Sequence, residues 1–321
     1  MKPRVLVTAE VFDEVLEYLR EHCEVEANLE PLSPSADKLR SQLADKDGVV
    51  CMLTDRIDDA LLAACPQLKA VCNVAVGYNN IDVAACTARG IRVTNTPGVL
   101  DETTADLVFT LLLATARRLT EAEMYLRNGQ WQGWHLRQLA GVDVHGSTMG
   151  IIGMGRIGQA IVRRASGFNM KVIYHNRSRL DGAVERELGV AYAGFDELMG
   201  AADFVVLQVP YSQATHHLID AAALKKMKRS GILINAARGG VVDDAALIAA
   251  LADGTIRAAG LDVFENEPRF NPGFLDLKNV VLAPHIGSST EGTRLAMAMT
   301  AARNLVAALQ GQRPPNQVNE V

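Results

Sequence analysis

The 321-residue sequence lacks the features that mark membrane-spanning, secreted and nucleic-acid-binding proteins. Its most apolar stretch, from Leu107 to Ala116, is too short to cross a bilayer. The net charge of -5 offers no positive excess for phosphate backbones or anionic lipids. The N-terminus has no apolar signal-peptide core before the charged Glu10. These absences predict a cytoplasmic protein that binds neither nucleic acid nor membranes.

Cysteine is scarce, and its spacing suits neither metal binding nor disulfide formation. All five cysteines lie in the first third of the chain, without a Cys-x-x-Cys pair or histidine neighbours at metal-ligand spacing. The odd number also argues against the disulfide framework of a secreted domain. We therefore expect buried, apolar cysteines and no metal site.

The first part of the chain alternates short β-branched runs with helical patterns. Strand–helix alternation with continuously apolar strands predicts a parallel α/β sheet covered on both faces, complete by about residue 98. The predicted strands are Arg4–Thr8, Val49–Leu53, Leu68–Asn73 and Ile91–Asn95, and the predicted helices are Val11–His22, Ser35–Ala44 and Ile81–Arg89.

The middle of the chain breaks this rhythm. Asp101 suits the N-cap of a long helix that reaches Arg117, because acidic side chains favour the positive end of a helix. The polar arm that follows, from Asn128 to Trp134, holds both tryptophans of the chain. Such aromatic side chains either face a partner or fasten the arm to its own domain, and the sequence leaves both readings open.

A second α/β series begins at Thr148 and predicts another parallel sheet, larger than the first. Its predicted strands are Met149–Ile152, Lys171–Tyr174, Phe204–Leu207, Ile232–Asn235, Ala258–Leu261 and Val280–Leu282. The predicted helices are Arg156–Phe168, Ala221–Met227, Asp244–Ala252 and Glu291–Leu309. The fold class is therefore α/β, with two Rossmann-like or flavodoxin-like parallel-sheet domains.

The strongest local motif is Gly153-x-Gly155-x-x-Gly158, between a predicted strand and a predicted helix. In this context the first glycine permits a tight turn, the second lets the backbone approach a pyrophosphate, and the third lets helix and strand pack closely. The anion then lies at the helix N-terminus. Glycine-rich turns also occur for purely structural reasons, but the strand–helix context favours dinucleotide binding.

The end of the next strand bears on which dinucleotide binds. NAD sites usually place a carboxylate there to accept hydrogen bonds from the adenine ribose 2′-hydroxyl. Here the strand runs into His175, Asn176, Arg177, Ser178 and Arg179, and no carboxylate occurs before Asp181. Guanidinium groups and a hydroxyl suit a 2′-phosphate. The loop therefore predicts NADP(H) as the preferred cofactor and NAD(H) as the alternative. The other interpretation is that these residues form an exposed basic loop that binds no ligand.

Polar residues follow the last three apolar strands of the second series. Arg238 comes after one strand, Asp262 and Glu267 after the next, and His285 after the last. Because the carboxyl ends of parallel strands line the ligand crevice, we expect these side chains at one edge of the sheet. Alone, each is equally well a surface charge or a buried structural residue, but together they form an acid/base set.

At this point the sequence resembles the D-isomer-specific 2-hydroxyacid dehydrogenases over essentially the whole chain. The matching motifs are Val74–Asp82, Thr103–Asp106, the glycine loop and the segments around Arg238, Glu267 and His285. Within the family, the chain looks closest to glyoxylate/hydroxypyruvate reductases and 2-ketogluconate reductases. The resemblance implies reduction of a 2-keto acid to the D-2-hydroxy acid.

The resemblance also implies the roles of individual residues. The backbone N–H groups of Val76 and Gly77, together with Arg238, would hold the substrate carboxylate, and Arg238 would also polarise the keto oxygen. His285 would donate a proton to that oxygen as hydride arrives. Glu267 would pair with His285, orient its ring and favour its protonated form.

Further residues are assigned to substrate and cofactor by the same resemblance. Leu53, in the predicted substrate loop, would contact substrate. In related reductases the arm crosses a homodimer interface, so Trp134 would reach the substrate pocket of the partner copy. Asp262 would face the nicotinamide carboxamide, although it could instead cap a turn, and Val209 with Pro210 could simply end a strand. The expected cofactor-binding residues are Thr104, Gly153, Met154, Gly155, Arg156, Ile157, Gly158, Asn176, Arg177, Ser178, Arg179, Val209, Pro210, Thr215, Ala236, Asp262 and Gly287.

The domain organisation also follows from the resemblance. Residues 1–98 and 287–321 would form the substrate domain, and residues 99–286 the Rossmann-like cofactor domain. A dimerisation helix and arm, at about 99–146, would belong to the cofactor domain. The active site would lie in the cleft between the two domains.

Three other functions share parts of this pattern. A 3-phosphoglycerate dehydrogenase is disfavoured because Arg56 is the only cation beside the predicted substrate loop. Formate and phosphite dehydrogenases share the Arg, Glu and His and are excluded only weakly. A dinucleotide-sensing corepressor would use the same fold to bind partners, and measured turnover would separate it from an enzyme.

Overall fold

The computed structural model describes all 321 residues, which divide into two compact units. Met1–Leu100 and Ser289–Val321 form the first unit, and Asp101–Ser288 form the second. Both boundaries lie two residues after those that the family resemblance implies, 98/99 and 286/287. None of the helices is both long and apolar enough to cross a membrane.

The first unit is built on one parallel sheet. Its strands are β1 (Arg4–Val7), β2 (Glu24–Ala27), β3 (Gly48–Cys51), β4 (Ala70–Asn73) and β5 (Arg92–Thr94). Its helices are α1 (Asp13–His22), α2 (Ala36–Leu43), α3 (Asp59–Ala63), α4 (Val83–Ala88) and, from the far end of the chain, α12 (Glu291–Leu309). The strand order is β2-β1-β3-β4-β5, and every pair is parallel.

Helices cover both faces of this sheet, as continuously apolar strands require. On one face α1 and α12 pack around Val5 and Leu305, and on the other α2, α3 and α4 pack around Leu6 and Leu43. A side chain at Gly48 would lie 2.6 Å from Leu305 Cδ1, so the glycine lets α12 approach β3 closely.

The five cysteines all contribute to the core of the first unit. Each is buried and free, as the sequence predicts. Burial raises the pKa of the Cys72 and Cys86 thiols to about 12. Because the thiolate is the reactive form, these side chains act as small apolar groups near neutral pH.

The second unit is built on a larger parallel sheet. Its strands are β6 (Thr148–Ile152), β7 (Lys171–His175), β8 (Val190–Tyr192), β9 (Phe204–Leu207), β10 (Ile232–Asn235), β11 (Ala258–Leu261) and β12 (Val280–Leu282). Its helices are α5 (Asp101–Ala116), α6 (Leu119–Arg127), α7 (Arg156–Gly167), α8 (Gly182–Leu188), α9 (Phe195–Ala201), α10 (Ala221–Leu224) and α11 (Asp244–Ala252), with a short 3-10 helix at Pro272–Asp276.

The strand order of the second unit places its ligand crevice. The order is β12-β11-β10-β9-β6-β7-β8, with α5 and α7 on one face and α9, α10 and α11 on the other. The chain builds outward from β6 first towards β7 and β8, and then from β9 in the opposite direction. The carboxyl end of β6 is therefore the point at which strand order reverses, where α/β sheets bind their ligands.

The predicted fold class is confirmed, and the differences are local. Two of the four edge strands were not predicted from the sequence. In β2 the charged Glu24 and Glu26 alternate with apolar residues, and β8 is only three residues long. Helices α3, α6, α8 and α9 were not predicted either. Asp101 is the first residue of α5 rather than its N-cap, and α10 ends at Leu224 instead of Met227.

Candidate active site

The glycine loop joins β6 to α7 at the reversal point, and each motif glycine occupies a different environment. Gly153 has φ of +106°, and a Cβ there would lie 2.5 Å from the Gln208 carbonyl at the end of β9. A Cβ at Gly158 would lie 2.5 Å from the Gly153 carbonyl oxygen. Around Gly155 nothing lies within 4 Å of a Cβ position. Gly153 and Gly158 therefore shape the turn, whereas Gly155 faces open space that fits the approach of a pyrophosphate.

Backbone and side-chain groups at the end of β7 hold this loop in place. The Gly153 N–H donates to the His175 carbonyl at 3.0 Å, and the Met154 N–H donates to Asn176 Oδ1 at 2.7 Å. The Met154 side chain is buried, and its backbone N–H is engaged by Asn176. Asn176, expected to bind the cofactor, is thus a support for the glycine loop in this structure.

The basic loop after β7 contains cations of two different kinds. Arg179 forms two hydrogen bonds of 2.8 Å with Glu185, which also accepts one of 2.7 Å from the Tyr174 hydroxyl. These partners lower the pKa of Glu185 to about 2. Arg177 is exposed and has no carboxylate partner. Of the two predicted phosphate-binding arginines, Arg177 is therefore the one whose guanidinium is unpaired.

Arg238 follows β10 in a turn that Asn235 shapes. Asn235 Oδ1 accepts from the Ala237 N–H at 3.1 Å, and its Nδ2 donates to the Arg238 carbonyl at 3.2 Å. The guanidinium donates to the Ala237 carbonyl at 2.7 Å and has no ion-pair partner. Burial lowers the pKa of Arg238, and the charge of Glu267 opposes that shift. A half-buried cation without a paired carboxylate suits an anionic ligand.

Gly239 is a residue that the sequence reading overlooks, although its position is demanding. A Cβ at Gly239 would lie 1.7 Å from the Phe264 carbonyl oxygen. The turn after β10 therefore contacts the segment after β11 backbone to backbone. A glycine directly after a predicted site arginine was the available signal, since close backbone approach is a main reason for glycine at such points.

His285 and Glu267 are brought together, as expected for a pair. His285 Nδ1 lies 2.7 Å from Glu267 Oε2, and Glu267 Oε1 accepts from the Phe264 N–H at 2.7 Å. Both side chains are about a quarter exposed, at 25% and 27%. His285 Nε2 has no hydrogen-bond partner, so that edge of the ring is open to a ligand.

Asp262 holds the backbone that follows His285. It is 1% exposed, and its two carboxylate oxygens accept from the Ile286 and Gly287 N–H groups at 2.7 and 2.8 Å. Its carbonyl accepts from the His285 N–H at 2.9 Å. Burial raises the pKa of Asp262 to about 6, although the two backbone hydrogen bonds favour the charged form. These contacts fit the turn-capping alternative, and the contact of Asp262 with a nicotinamide carboxamide stays a prediction.

The expected substrate residues of the first unit lie on two loops. Val76 and Gly77 form a bend after β4, and neither donates a backbone hydrogen bond. Leu53 lies between β3 and α3 with 38% of its surface exposed. These two loops follow adjacent parallel strands, so they lie at the same edge of the first sheet.

The remaining predicted residues of the second unit differ in their burial and in their contacts. Thr104 is buried in α5, near the position that a Cβ on Gly287 would take. Thr215 Oγ1 donates to the Pro210 carbonyl at 2.8 Å and so closes the turn after β9. Trp134 is 78% exposed in the arm. The other cofactor candidates lie at the start of α7, for Arg156 and Ile157, or just after β9 and β10, for Val209 and Ala236.

The turn-capping role of Asp262 predicts how Asp262→Asn changes the stability of the protein. An amide can accept only one of the two N–H groups, and an unpaired buried donor costs about 1–3 kcal/mol, so the variant should unfold at a lower temperature. A raised pKa means that ionisation is harder in the folded state than in the unfolded chain. The stability advantage of Asp over Asn should therefore be largest near pH 4 and shrink as pH rises through about 6.

Thermal unfolding of both proteins between pH 4 and 8 measures this difference. The exposed Asp276→Asn, in the 3-10 helix, is the matched control and should leave the midpoint unchanged. An advantage of Asp that grows with pH would contradict the raised pKa of Asp262, because the two hydrogen bonds to the carboxylate would then outweigh its loss of hydration.

Comparison with known proteins agrees with this architecture. Residues 109–287 match the family described as D-isomer specific 2-hydroxyacid dehydrogenase, NAD binding domain. A glyoxylate reductase of Thermococcus kodakarensis is 49% identical over 324 residues, covering 100% of this chain and 97% of that protein. A glyoxylate reductase of Pyrococcus furiosus is 47% identical, covering 100% of this chain and 96% of the relative.

Solved structures give the same result. The TT0316 protein from Thermus thermophilus superposes with a TM-score of 0.92 at 42% identity, covering 98% of this chain and 100% of that one. An NADPH-dependent glyoxylate/hydroxypyruvate reductase from Sinorhizobium meliloti, in complex with NADP and malonate, superposes with a TM-score of 0.86 at 37% identity, covering 99% and 97%. The chain belongs to the D-isomer-specific 2-hydroxyacid dehydrogenase family, whose members are NAD(P)-dependent oxidoreductases.

Proposed function

We propose that this enzyme reduces glyoxylate, hydroxypyruvate or 2-ketogluconate to the D-2-hydroxy acid, with NADPH as its preferred hydride donor. The observation that carries the proposal is the His285–Glu267 pair, whose Nε2 is left open at the same sheet edge as the unpaired guanidinium of Arg238. Reduction of a keto acid needs a proton donor and a fixed cation at the carbonyl oxygen.

The geometry of the pair supports one position for the proton on His285. An ionised carboxylate only accepts hydrogen bonds, so the Glu267 contact requires His285 Nδ1 to carry a hydrogen. Nε2 is then the atom that exchanges a proton with the substrate oxygen. The hydrogen bond from Phe264 fixes the carboxylate and, through it, the orientation of the ring.

Arg238 supplies the positive charge. Its half-buried guanidinium has no competing carboxylate, so its interaction with a bound anion is weakly screened by water. We assign it the substrate carboxylate and the keto oxygen, on which negative charge grows during hydride transfer. Val76 and Gly77 of the first unit share the carboxylate through their backbone N–H groups.

The dinucleotide fits the second unit at the glycine loop. The open space at Gly155 and the N-terminus of the 12-residue helix α7 would hold the pyrophosphate. When bound, the cofactor supplies the hydride. The preference for NADPH is supported by Arg177 and Ser178, which are exposed where an NAD site usually has a carboxylate. The Sinorhizobium meliloti reductase, described as NADPH-dependent, adds support. NADH is the alternative donor.

The arm and α6 support a homodimer. Their exposed apolar side chains form a set unusual for a free monomer surface: Leu119, Met124, Leu126, Trp131, Trp134 and Leu136, each between 58% and 83% exposed. We propose that a second copy of the chain covers them.

The proposed reaction is tested by following NADPH oxidation over a panel of 2-keto acids. The wild type should turn over at least one of glyoxylate, hydroxypyruvate and 2-ketogluconate. His285→Gln should lower kcat by roughly 10²–10⁴-fold, because the general acid is lost, while the dissociation constant of NADPH changes little. The exposed His145→Gln of the same unit is the control. No turnover of any 2-keto acid with either cofactor would refute the proposed function.

The cofactor preference is tested by Arg177→Ala. Loss of one charge-assisted contact to the 2′-phosphate should weaken NADPH binding by about tenfold and leave NADH binding unchanged. Lys171→Ala removes an equal charge from the opposite end of β7 and should affect neither. Fluorescence titration gives both dissociation constants. Equal weakening of NADPH and NADH would show that Arg177 does not recognise the phosphate.

The homodimer is tested by sedimentation equilibrium. Replacing Met124 and Leu136 by glutamate should shift the protein towards monomer, because charges would then have to be buried. Leu275→Glu alters a residue that is 65% exposed outside this surface and should not change the mass. A wild-type monomer at micromolar concentration would rule out the dimer.

A further inference from the structure

A run of unpaired backbone donors lies in the bend that follows β4. No N–H group from Ala75 to Asn80 donates a hydrogen bond, although Ala75 is buried and Val76 and Gly77 are half-buried. The N–H groups of Val76, Gly77 and Tyr78 belong to this run. Backbone N–H groups away from water are normally paired, so unpaired neighbours in one bend need an explanation. Successive N–H groups that converge in a bend form a concave site for anions.

The carbonyls of the same peptide units are all engaged. The Ala75 carbonyl accepts from the Thr96 N–H at 2.9 Å, the Val76 carbonyl from Asn95 Nδ2 at 2.8 Å, and the Gly77 carbonyl from Asn73 Nδ2 at 2.9 Å. These peptide bonds are trans.

In a planar trans peptide the C=O and the following N–H point in opposite directions. Each of these hydrogen bonds therefore fixes the direction of the next N–H. Thr96 sets the Val76 N–H, Asn95 sets the Gly77 N–H, and Asn73 sets the Tyr78 N–H. All three donors are thus aimed away from the group that holds the matching carbonyl.

The two asparagines are themselves held rigidly. Asn73 is 0% exposed and also donates to Asn80 Oδ1 at 3.1 Å. Asn80 donates to the carbonyls of Met52 and Asp55 at 3.2 and 2.9 Å, which ties the bend to the loop that carries Leu53. Asn95 is 9% exposed, and its N–H donates to the Asn316 carbonyl at 3.3 Å. Asn304 of α12 donates to the Asn95 carbonyl at 3.3 Å and forms no hydrogen bond with the Asn95 side-chain amide.

The neutral amide is the side chain that this position requires. A carboxylate of the same size could not donate to a carbonyl, and its charge would oppose an anion held by the neighbouring N–H groups. Lysine or arginine would donate but would have to bury a long, charged side chain behind the bend. Asparagine offers a donor with neither cost.

We propose that Asn95 and Asn73 are positioning residues that aim the backbone donors at the substrate carboxylate, and that the Tyr78 N–H is a third donor beside those of Val76 and Gly77. The inference rests on the proposed function, since the anion in question is the carboxylate of the keto acid. Neither asparagine touches the substrate, and both act through the peptide planes that they hold.

The test compares Asn95→Ala and Asn73→Ala with Asn304→Ala. All three remove a buried side-chain amide of the first unit, and all should lower the unfolding temperature. Only the first two release a peptide plane of the bend. In those variants KM for the keto acid should rise about tenfold while kcat stays within about threefold of wild type, because a carboxylate bound equally in ground and transition states contributes to KM. The dissociation constant of NADPH should not change.

A KM for the keto acid that is the same in Asn95→Ala, Asn73→Ala and Asn304→Ala would overturn the proposal and leave the asparagines a purely structural role. If one of the variants fails to fold, the other still decides, because each acts on a different peptide plane.

Oxalate binding separates this inference from the proposed function. Oxalate carries the same carboxylate and needs no turnover, so calorimetry on the full-length protein reports on the bend directly. We expect the dissociation constant of oxalate to rise about tenfold in Asn95→Ala and to be unchanged in Asn304→Ala. That result would support the inference even if no keto acid were reduced. Equal affinity in both variants, or no binding of oxalate to the wild type, would refute it.

Discussion

The hydrogen bond between Glu267 and His285 is the contact on which the rest of the second unit's site depends. It joins the segment after β11 to the segment after β12 at 2.7 Å, and it is held from both sides. The Phe264 N–H fixes the carboxylate, while Asp262 fixes the backbone on either side of the His285 ring. The pair is therefore positioned before any ligand arrives, and preorganisation of this kind is how a protein lowers a barrier without reorganising during the reaction.

The turn that carries Arg238 belongs to the same assembly. Gly239 allows it to meet the Phe264 carbonyl backbone to backbone, so the guanidinium and the His–Glu pair share one rigid support. Substitution of Gly239 would displace both, although the residue has no side chain to offer a ligand. The first unit follows the same logic with different groups, since buried asparagines there set the direction of the backbone donors.

How much could be read from the sequence depended on whether the information was local. The glycine motif, the apolar central strands and the polar residues just after them are short-range patterns, and the fold class follows from them. The edge strand β2 was not predicted, because Glu24 and Glu26 alternate with apolar residues and the segment resembles a surface loop. The ion pair of Arg179 with Glu185 was not predicted, because the carboxylate lies on α8, a helix that the sequence pattern did not indicate. The contacts of Asn73 and Asn95 with the carbonyls of Gly77 and Val76 were not predicted, because these groups come together only when the sheet forms.

The central claim, that Glu267 holds the proton on His285 Nδ1 and leaves Nε2 to exchange with substrate, is tested most directly by ¹⁵N NMR. The full-length protein is labelled at its seven histidines, and His285 is assigned by the loss of its signals in His285→Gln. The account predicts that neutral His285 carries its hydrogen on Nδ1 and that this preference is lost in Glu267→Gln. A neutral His285 with its hydrogen on Nε2 in the wild type would contradict the account, because the ring would then have no hydrogen to donate to Glu267.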